Sequence, residues 1–141
     1  MTEEVTFKHQ IPVQLRFNDI DPLGHVNNSV YFTFYDLGKV NYFFTLRPQM
    51  NECRDIDLVI ANVNANFLLP IYMQDKVSVQ TTTLAIGNKS LKLLQRIVDA
   101  GGEVKATCET VLVGFDFKKG RSCEISTEWR EAIAAYEGRS F

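Results

Sequence analysis

The sequence predicts an α+β chain in which one curled antiparallel sheet of five strands wraps a central helix, with a short second helix at the C-terminal end. Three observations carry this. The run Val30 to Phe44 is apolar nearly all round a helical projection, and a helix hydrophobic on all sides is a buried one. One strand-like segment precedes it and four follow it. Glycine turns at Gly87-Asn88 and Gly101-Gly102 separate the last three, which makes an antiparallel meander of them. A single small sheet covers a helix only by curling around it.

The elements follow in order. Residues from about Phe7 to Phe17 alternate loosely through Ile11, Val13, Leu15 and Phe17, as a strand does. A polar loop follows, and then the helix from Val30 to Phe44, with Val30, Phe34, Leu37 and Phe44 near helical spacing. Tyr31, Phe32, Tyr35, Tyr42 and Phe43 fill its other faces. The helix ends between Asn41 and Pro48, where Arg47-Pro48 blocks continuation. Strands are expected over Leu58 to Leu69, Lys76 to Ile86, Ser90 to Asp99 and Val104 to Phe117. Ser126-Thr127 caps a short amphipathic helix running to about Glu137, with Trp129, Ile133 and Tyr136 on one face. One curled sheet leaves part of the central helix uncovered, so association through the sheet edge is expected, to a dimer at least.

The 141 residues suit one domain spanning the whole chain, with no repeats or linkers. The composition, 45% apolar and 23% charged, is that of a soluble globular protein. A net charge of −2 offers no positive field for a nucleic-acid backbone. No apolar run is long enough to span a membrane, and the N-terminus has no signal-peptide pattern. Cys53, Cys108 and Cys123 are odd in number and widely spaced, which fits free structural thiols in a reducing cytoplasm and no metal site.

The densest chemistry lies in Asp19-Ile20-Asp21-Pro22-Leu23-Gly24-His25-Val26-Asn27-Asn28. Pro22 pushes Asp21 toward an extended or turn geometry, and Gly24 permits a left-handed bend. Asn27, Asn28 and Ser29 are N-cap residue types just ahead of the helix. Asp21 is thereby set beside the unpaired N–H groups of a helix start, where the helix dipole is positive. A carboxylate beside such donors is a site in outline.

The aspartate followed by Pro-Leu-Gly-His-Val-Asn-Asn, with Tyr31 and Tyr35 on the next helix, resembles the hotdog-fold acyl-CoA thioesterases of the 4-hydroxybenzoyl-CoA thioesterase type. The likeness extends through the strand order and is sharpest from Arg16 to Tyr35. It implies a hotdog fold, hydrolysis of an acyl-CoA thioester, and Asp21 as the catalytic carboxylate. It implies too that backbone at the start of the central helix polarises the carbonyl, and that the pantetheine arm enters between two subunits of a homodimer, often paired into a homotetramer. Coenzyme A is then part of the substrate and no separate cofactor is needed. A thioester releases a thiolate whose conjugate acid has a pKa near the 8.5 or so of cysteine, so one carboxylate and an oxyanion site suffice. Asp21 can act as general base or as nucleophile.

Around it, Val26, Asn27 and Asn28 supply candidate oxyanion donors, Asn27 and Asn28 being helix caps first. His25 can be acid, orienting group or packing. Asp19 is assigned to solvated surface and His9 to the surface of the first strand. Tyr31 and Tyr35 are core residues and candidate acyl-pocket walls. Lys89 and Ser90, at a strand start, are candidates for coenzyme A contact, with Lys92, Arg96, Lys118, Lys119 and Arg121 as further cations. Two other functions compete. Hotdog enoyl-CoA hydratases carry an Asp-x-Asn-Pro-Leu-His pattern, from which Asp19 to His25 departs by an Asp for Asn and an inserted Gly24. A non-catalytic acyl-CoA or acyl-carrier-protein binding module would keep the pocket and dispense with Asp21.

Overall fold

The computed structural model describes residues 5–141. The elements are β1 (His9–Val13), a 3-10 turn (Phe17–Asp19), α1 (Asn28–Leu46), a second 3-10 turn (Cys53–Asp55), β2 (Leu58–Phe67), β3 (Val77–Ile86), β4 (Ser90–Asp99), β5 (Val104–Asp116), β6 (Arg121–Cys123) and α2 (Thr127–Glu137). The strands form one antiparallel sheet in the order β1-β3-β4-β5-β2, with β6 pairing β5 just beyond the start of β4. The β3-β4-β5 meander is as expected, and β2 pairs with β5 and so closes one edge of the sheet.

Helix α1 lies along the sheet and divides the core in two. At its C-terminal end Tyr42, Phe43 and Leu46 pack with Leu91, Leu93, Leu112 and with Trp129 and Ile133 of α2. At its N-terminal end Tyr31, Phe34 and Tyr35 pack with Val26, Ile71, Val79, Ile97 and Ala106. Between the two halves the helix meets polar groups. The Gln95 side-chain amide donates to the Tyr35 carbonyl at 3.0 Å and to Thr81 Oγ1 at 3.0 Å. Gly38 makes this approach possible: a Cβ there would lie 2.7 Å from Val79 Cγ1 and 2.9 Å from Gln95 Nε2.

Several expectations are corrected. The described residues form six strands, not five. The short β6 has no apolar alternation; it follows a turn in which the Asp116 carboxylate accepts from the amides of Lys118 and Lys119. Strand β1 stops at Val13, where its partner β3 begins at Val77, and so never reaches Phe17. His9 is buried, not on the surface: its Nε2 lies 2.7 Å from Asn41 Oδ1 and its ring stands edge-on to Tyr42. As expected of a single sheet, part of α1 stays uncovered: Phe32, Leu37 and Val40 are exposed. Helix α2 begins as expected, with Ser126 as its N-cap accepting from Trp129 N.

The close approach at Gly38 gives a first test. In Gly38→Val the added methyl groups must displace Val79 or break the Gln95 bonds. The expected outcome is a loss of about 1–3 kcal/mol, the usual cost of overpacking, read as a lowered midpoint in urea or thermal unfolding.

Candidate active site

The loop between the first 3-10 turn and α1 is held by its own backbone. Asp21 N donates to the His25 carbonyl at 3.1 Å, and Gly24 N donates to the Asp21 carbonyl at 2.9 Å. Gly24 takes φ +89° to close this turn, a conformation that glycine adopts without steric cost. Two more bonds fasten the loop to the body. Val26 N donates to the Ile71 carbonyl at 2.8 Å, and Asn27 N donates to the Asp19 carbonyl at 2.9 Å.

Asn27 then performs two tasks. Its Oδ1 accepts from Ser29 N at 2.9 Å and so caps α1. Its Nδ2 donates to Asp21 Oδ2 at 3.1 Å. Asp21 Oδ1 accepts from Leu23 N at 2.9 Å. The carboxylate is thus held from both oxygens, half-buried, with lone pairs still available on each.

These residues form the rim of a cleft of about 470 Å³. Asp21, His25 and Asn28 supply its polar side, and Leu23, Val26, Tyr31 and the segment Phe67 to Pro70 supply the rest. Tyr31 is buried and stands edge-on to Phe67 at 4.9 Å between ring centres. Burial pushes the Tyr31 phenol above its ordinary pKa, opposed by a backbone hydrogen bond from Ile71. His25 Nδ1 lies 3.5 Å from the Val26 carbonyl, and among the described residues no hydrogen bond joins the His25 ring to the Asp21 carboxylate.

The predicted donors at the helix start are reduced in number. The N–H groups of Val26 and Asn27 are spent on Ile71 and Asp19, that of Ser29 on the Asn27 cap, and that of Val30 on the Asn27 carbonyl. The Asn28 N–H has no protein partner among the described residues, and the exposed Asn28 lines the cleft. One backbone donor is therefore available to an oxyanion, not three.

Other predicted residues lie elsewhere. Asp19 is buried, not solvated: its carboxylate accepts from Arg16 N at 2.8 Å and pairs with the Arg16 guanidinium at 3.0 Å. It does not line the cleft. Tyr35 sits wholly in the core, its hydroxyl without a hydrogen-bond partner, and burial pushes that phenol far above its ordinary pKa. Lys89 lines a separate cleft with Lys119 and Arg121, beside the β3–β4 turn that also carries Ser90. Cys108 is buried and Cys53 is exposed. Among the described residues no three of His, Cys, Asp and Glu cluster to hold a metal ion, and no helix is long and apolar enough to cross a membrane. Sequence reasoning missed Phe67, Leu68 and Leu69. Their signal was an aliphatic tail running past the strand end into Pro70, where the backbone leaves the sheet: Leu68 N and Leu69 N both donate to the Lys105 carbonyl.

Comparison with known proteins gives a consistent result. Residues 15–133 match the family profile described as the thioesterase-like superfamily. A crystal structure of a Thermus thermophilus thioesterase complexed with coenzyme A and zinc superposes with TM-score 0.87 at 33% identity, covering 96% of this chain and 98% of that one. The long-chain acyl-CoA thioesterase FadM of Escherichia coli is 25% identical over 126 residues, 88% of this chain and 96% of its own length. A 4-hydroxybenzoyl-CoA thioesterase variant, complexed with 4-hydroxybenzoyl-CoA, superposes with TM-score 0.78 at 19% identity over 88% of this chain and 96% of that one, which bears on the fold alone. With a wrapped helix, a matching sheet and a family match over most of its length, the chain belongs to the thioesterase-like superfamily, as a hotdog-fold thioester hydrolase.

Proposed function

We propose that this chain hydrolyses acyl-CoA thioesters to the free acid and coenzyme A, with Asp21 as the reacting carboxylate. The observation that carries this reading is the fixed Asp21 side chain at the rim of an apolar cleft, next to a helix start whose Asn28 N–H is unused. Relatives described as acyl-CoA thioesterases support the substrate class.

The chemistry needs few groups. As general base, Asp21 takes a proton from water while the water oxygen bonds to the thioester carbon. The tetrahedral intermediate then breaks its C–S bond and expels the thiolate. As nucleophile, a carboxylate oxygen bonds to that carbon, thiolate leaves, and water opens the resulting anhydride. In both routes the carbonyl oxygen turns negative and the Asn28 N–H, at the positive end of α1, stabilises it; one such donor is worth about 10²–10³ in rate. Asn27 is a positioning residue that ties the helix cap to the carboxylate. His25, on the cleft wall with no bond from its ring to the Asp21 carboxylate, is proposed to orient the thioester or to give a proton to the departing sulfur. Hydration is less well supported, because the Asp19 that its pattern requires is taken up by Arg16.

The site is proposed to be completed by a second copy of the chain. Strand β2 has a neighbour on one side only, and Ile60, Val63 and the α1 residues Leu37 and Val40 are exposed apolar groups. Within one chain Lys89 and Ser90 lie at the end of the sheet away from Asp21: β4 runs ten residues between them and the Asp99 end, roughly 33 Å at strand rise. Antiparallel pairing of two β2 edges reverses one sheet against the other. It would bring the partner's Lys89 and Ser90 to within about three strand spacings of the Phe67 end, roughly 14 Å, a distance the pantetheine arm can span to set its phosphates against that lysine. A homodimer, or a homotetramer built from it, is the proposed assembly.

Two measurements test these points. Thiol release from a panel of acyl-CoAs should fall about 10²–10⁴-fold in Asp21→Asn, and more modestly in His25→Ala; undiminished release in Asp21→Asn would refute the role given to Asp21. Light scattering on the eluting protein should give at least twice the chain mass, and the double variant Ile60→Lys, Val63→Lys should shift it toward the single chain, since edge lysines block strand pairing. A wild-type chain that runs as a monomer at micromolar concentration contradicts the assembly.

A further inference from the structure

Beyond its rim the cleft is poor in polar partners. Leu23, Val26, Tyr31, Phe67 and Leu68 bound it, and no lysine or arginine does. Apart from the Asn28 N–H at the rim, three amides along it are already bonded: Val26 N to the Ile71 carbonyl, and Leu68 N and Leu69 N to the Lys105 carbonyl. Away from the Asp21, His25 and Asn28 rim, the Tyr31 hydroxyl is the one side-chain polar atom among the lining residues. A carboxylate or hydroxyl carried on an acyl group would lose water here and meet at most that single hydroxyl, which is costly. A hydrocarbon chain would only gain, at about 0.8 kcal/mol for each CH₂ buried, close to fourfold per carbon.

The inner end of the wall is aromatic. Phe67, the last residue of β2, stands edge-on to Tyr31 at 4.9 Å and to Phe32 at 6.5 Å between ring centres. Tyr31 is buried and fixed, whereas Phe67 is 46% exposed on an edge strand. Of the two rings, Phe67 is the one an entering chain can lie against.

Resting on the hydrolase reading above, we propose that this cleft receives an unsubstituted aliphatic acyl chain, and that Phe67 is the residue that sets the preference for longer over shorter chains. The thioester carbonyl sits at the Asp21 rim and the chain runs inward along Leu23 and Leu68 to the Phe67 ring. Carboxylated acyl groups and hydroxylated aromatic acyl groups are excluded by the lack of donors, not by size.

The test is kcat/KM of the wild-type protein on acetyl-, butyryl-, hexanoyl-, octanoyl-, succinyl- and 4-hydroxybenzoyl-CoA, read by thiol release. The expected result is a rise of about fourfold per CH₂ from butyryl to octanoyl, with succinyl-CoA at least tenfold below hexanoyl-CoA and 4-hydroxybenzoyl-CoA below octanoyl-CoA. In Phe67→Ala the octanoyl-to-butyryl ratio should collapse toward unity. Phe67→Leu, which keeps an apolar residue on the strand, should lower the ratio partway and guards against a misfolded alanine variant. Release with a flat or inverted chain-length profile, a preference for succinyl or 4-hydroxybenzoyl, or an unchanged ratio in both Phe67 variants overturns this inference while leaving the hydrolase reading intact. No release from any member overturns both.

Discussion

The contact on which the rest of the molecule depends is the one between α1 and the sheet at Gly38. With no side chain there, the helix comes down onto Val79 and Gln95, and the Gln95 amide takes hold of a helix carbonyl. Large side chains then fill the space on either side of that contact: Tyr42, Phe43 and Trp129 toward one end, Tyr31, Phe34 and Ile71 toward the other. Packed interiors have little free volume to absorb a shift, so a helix fixed at its middle and wedged at both ends has one position. That position places its N-terminus beside the Phe67–Ile71 segment, where Val26 N finds the Ile71 carbonyl. The site is thus a consequence of how the helix lies on the sheet.

At the helix start, the supply of hydrogen bonds decides what the loop can do. Four backbone donors open any α-helix without internal partners. Here the Asn27 cap satisfies Ser29 N, and the loop fastenings consume the amides just before the helix. What is left, among the described residues, is the unpaired amide of Asn28, a residue that lines the cleft, and one carboxylate held by Leu23 N and Asn27 Nδ2. The residue that caps the helix also aims the carboxylate, so folding of α1 and assembly of the site are the same event.

Much of this was legible in the sequence, and the reasons differ by element. Strands β2 to β5 were found within a residue or two because their alternation and their glycine turns agree. The Asp21 loop was legible because Pro22, Gly24 and Asn27 each demand a particular backbone. The failures have a common cause in tertiary partners. His9 looks like a surface strand residue until Asn41 and Tyr42 of α1 arrive above it. Asp19 looks solvated until the 3-10 turn folds its carboxylate back onto Arg16. Tyr35, one turn on from Tyr31, was paired with it as a pocket wall, but it faces Gln95 and Cys108 in the core. The Phe67–Pro70 wall was missed because nothing in a strand's sequence says which loop its far end will meet.

The curl of the sheet has one more consequence. A sheet packed on a single helix must stop somewhere; among the described residues it stops at β2, whose outer row of backbone groups has no strand partner, and Phe32, Leu37 and Val40 of α1 are exposed as well. Asp21, the proposed reacting carboxylate, lies toward one end of that free edge and the cationic Lys89–Arg121 cleft at the other end of the sheet. A long anionic thioester cannot meet both within one copy, whatever its conformation. It can do so across two copies whose β2 edges run antiparallel, because the two-fold that covers the edge also exchanges the ends. The incompleteness that makes the lone chain a poor globule is, on this view, the same one that makes it half of a binding site.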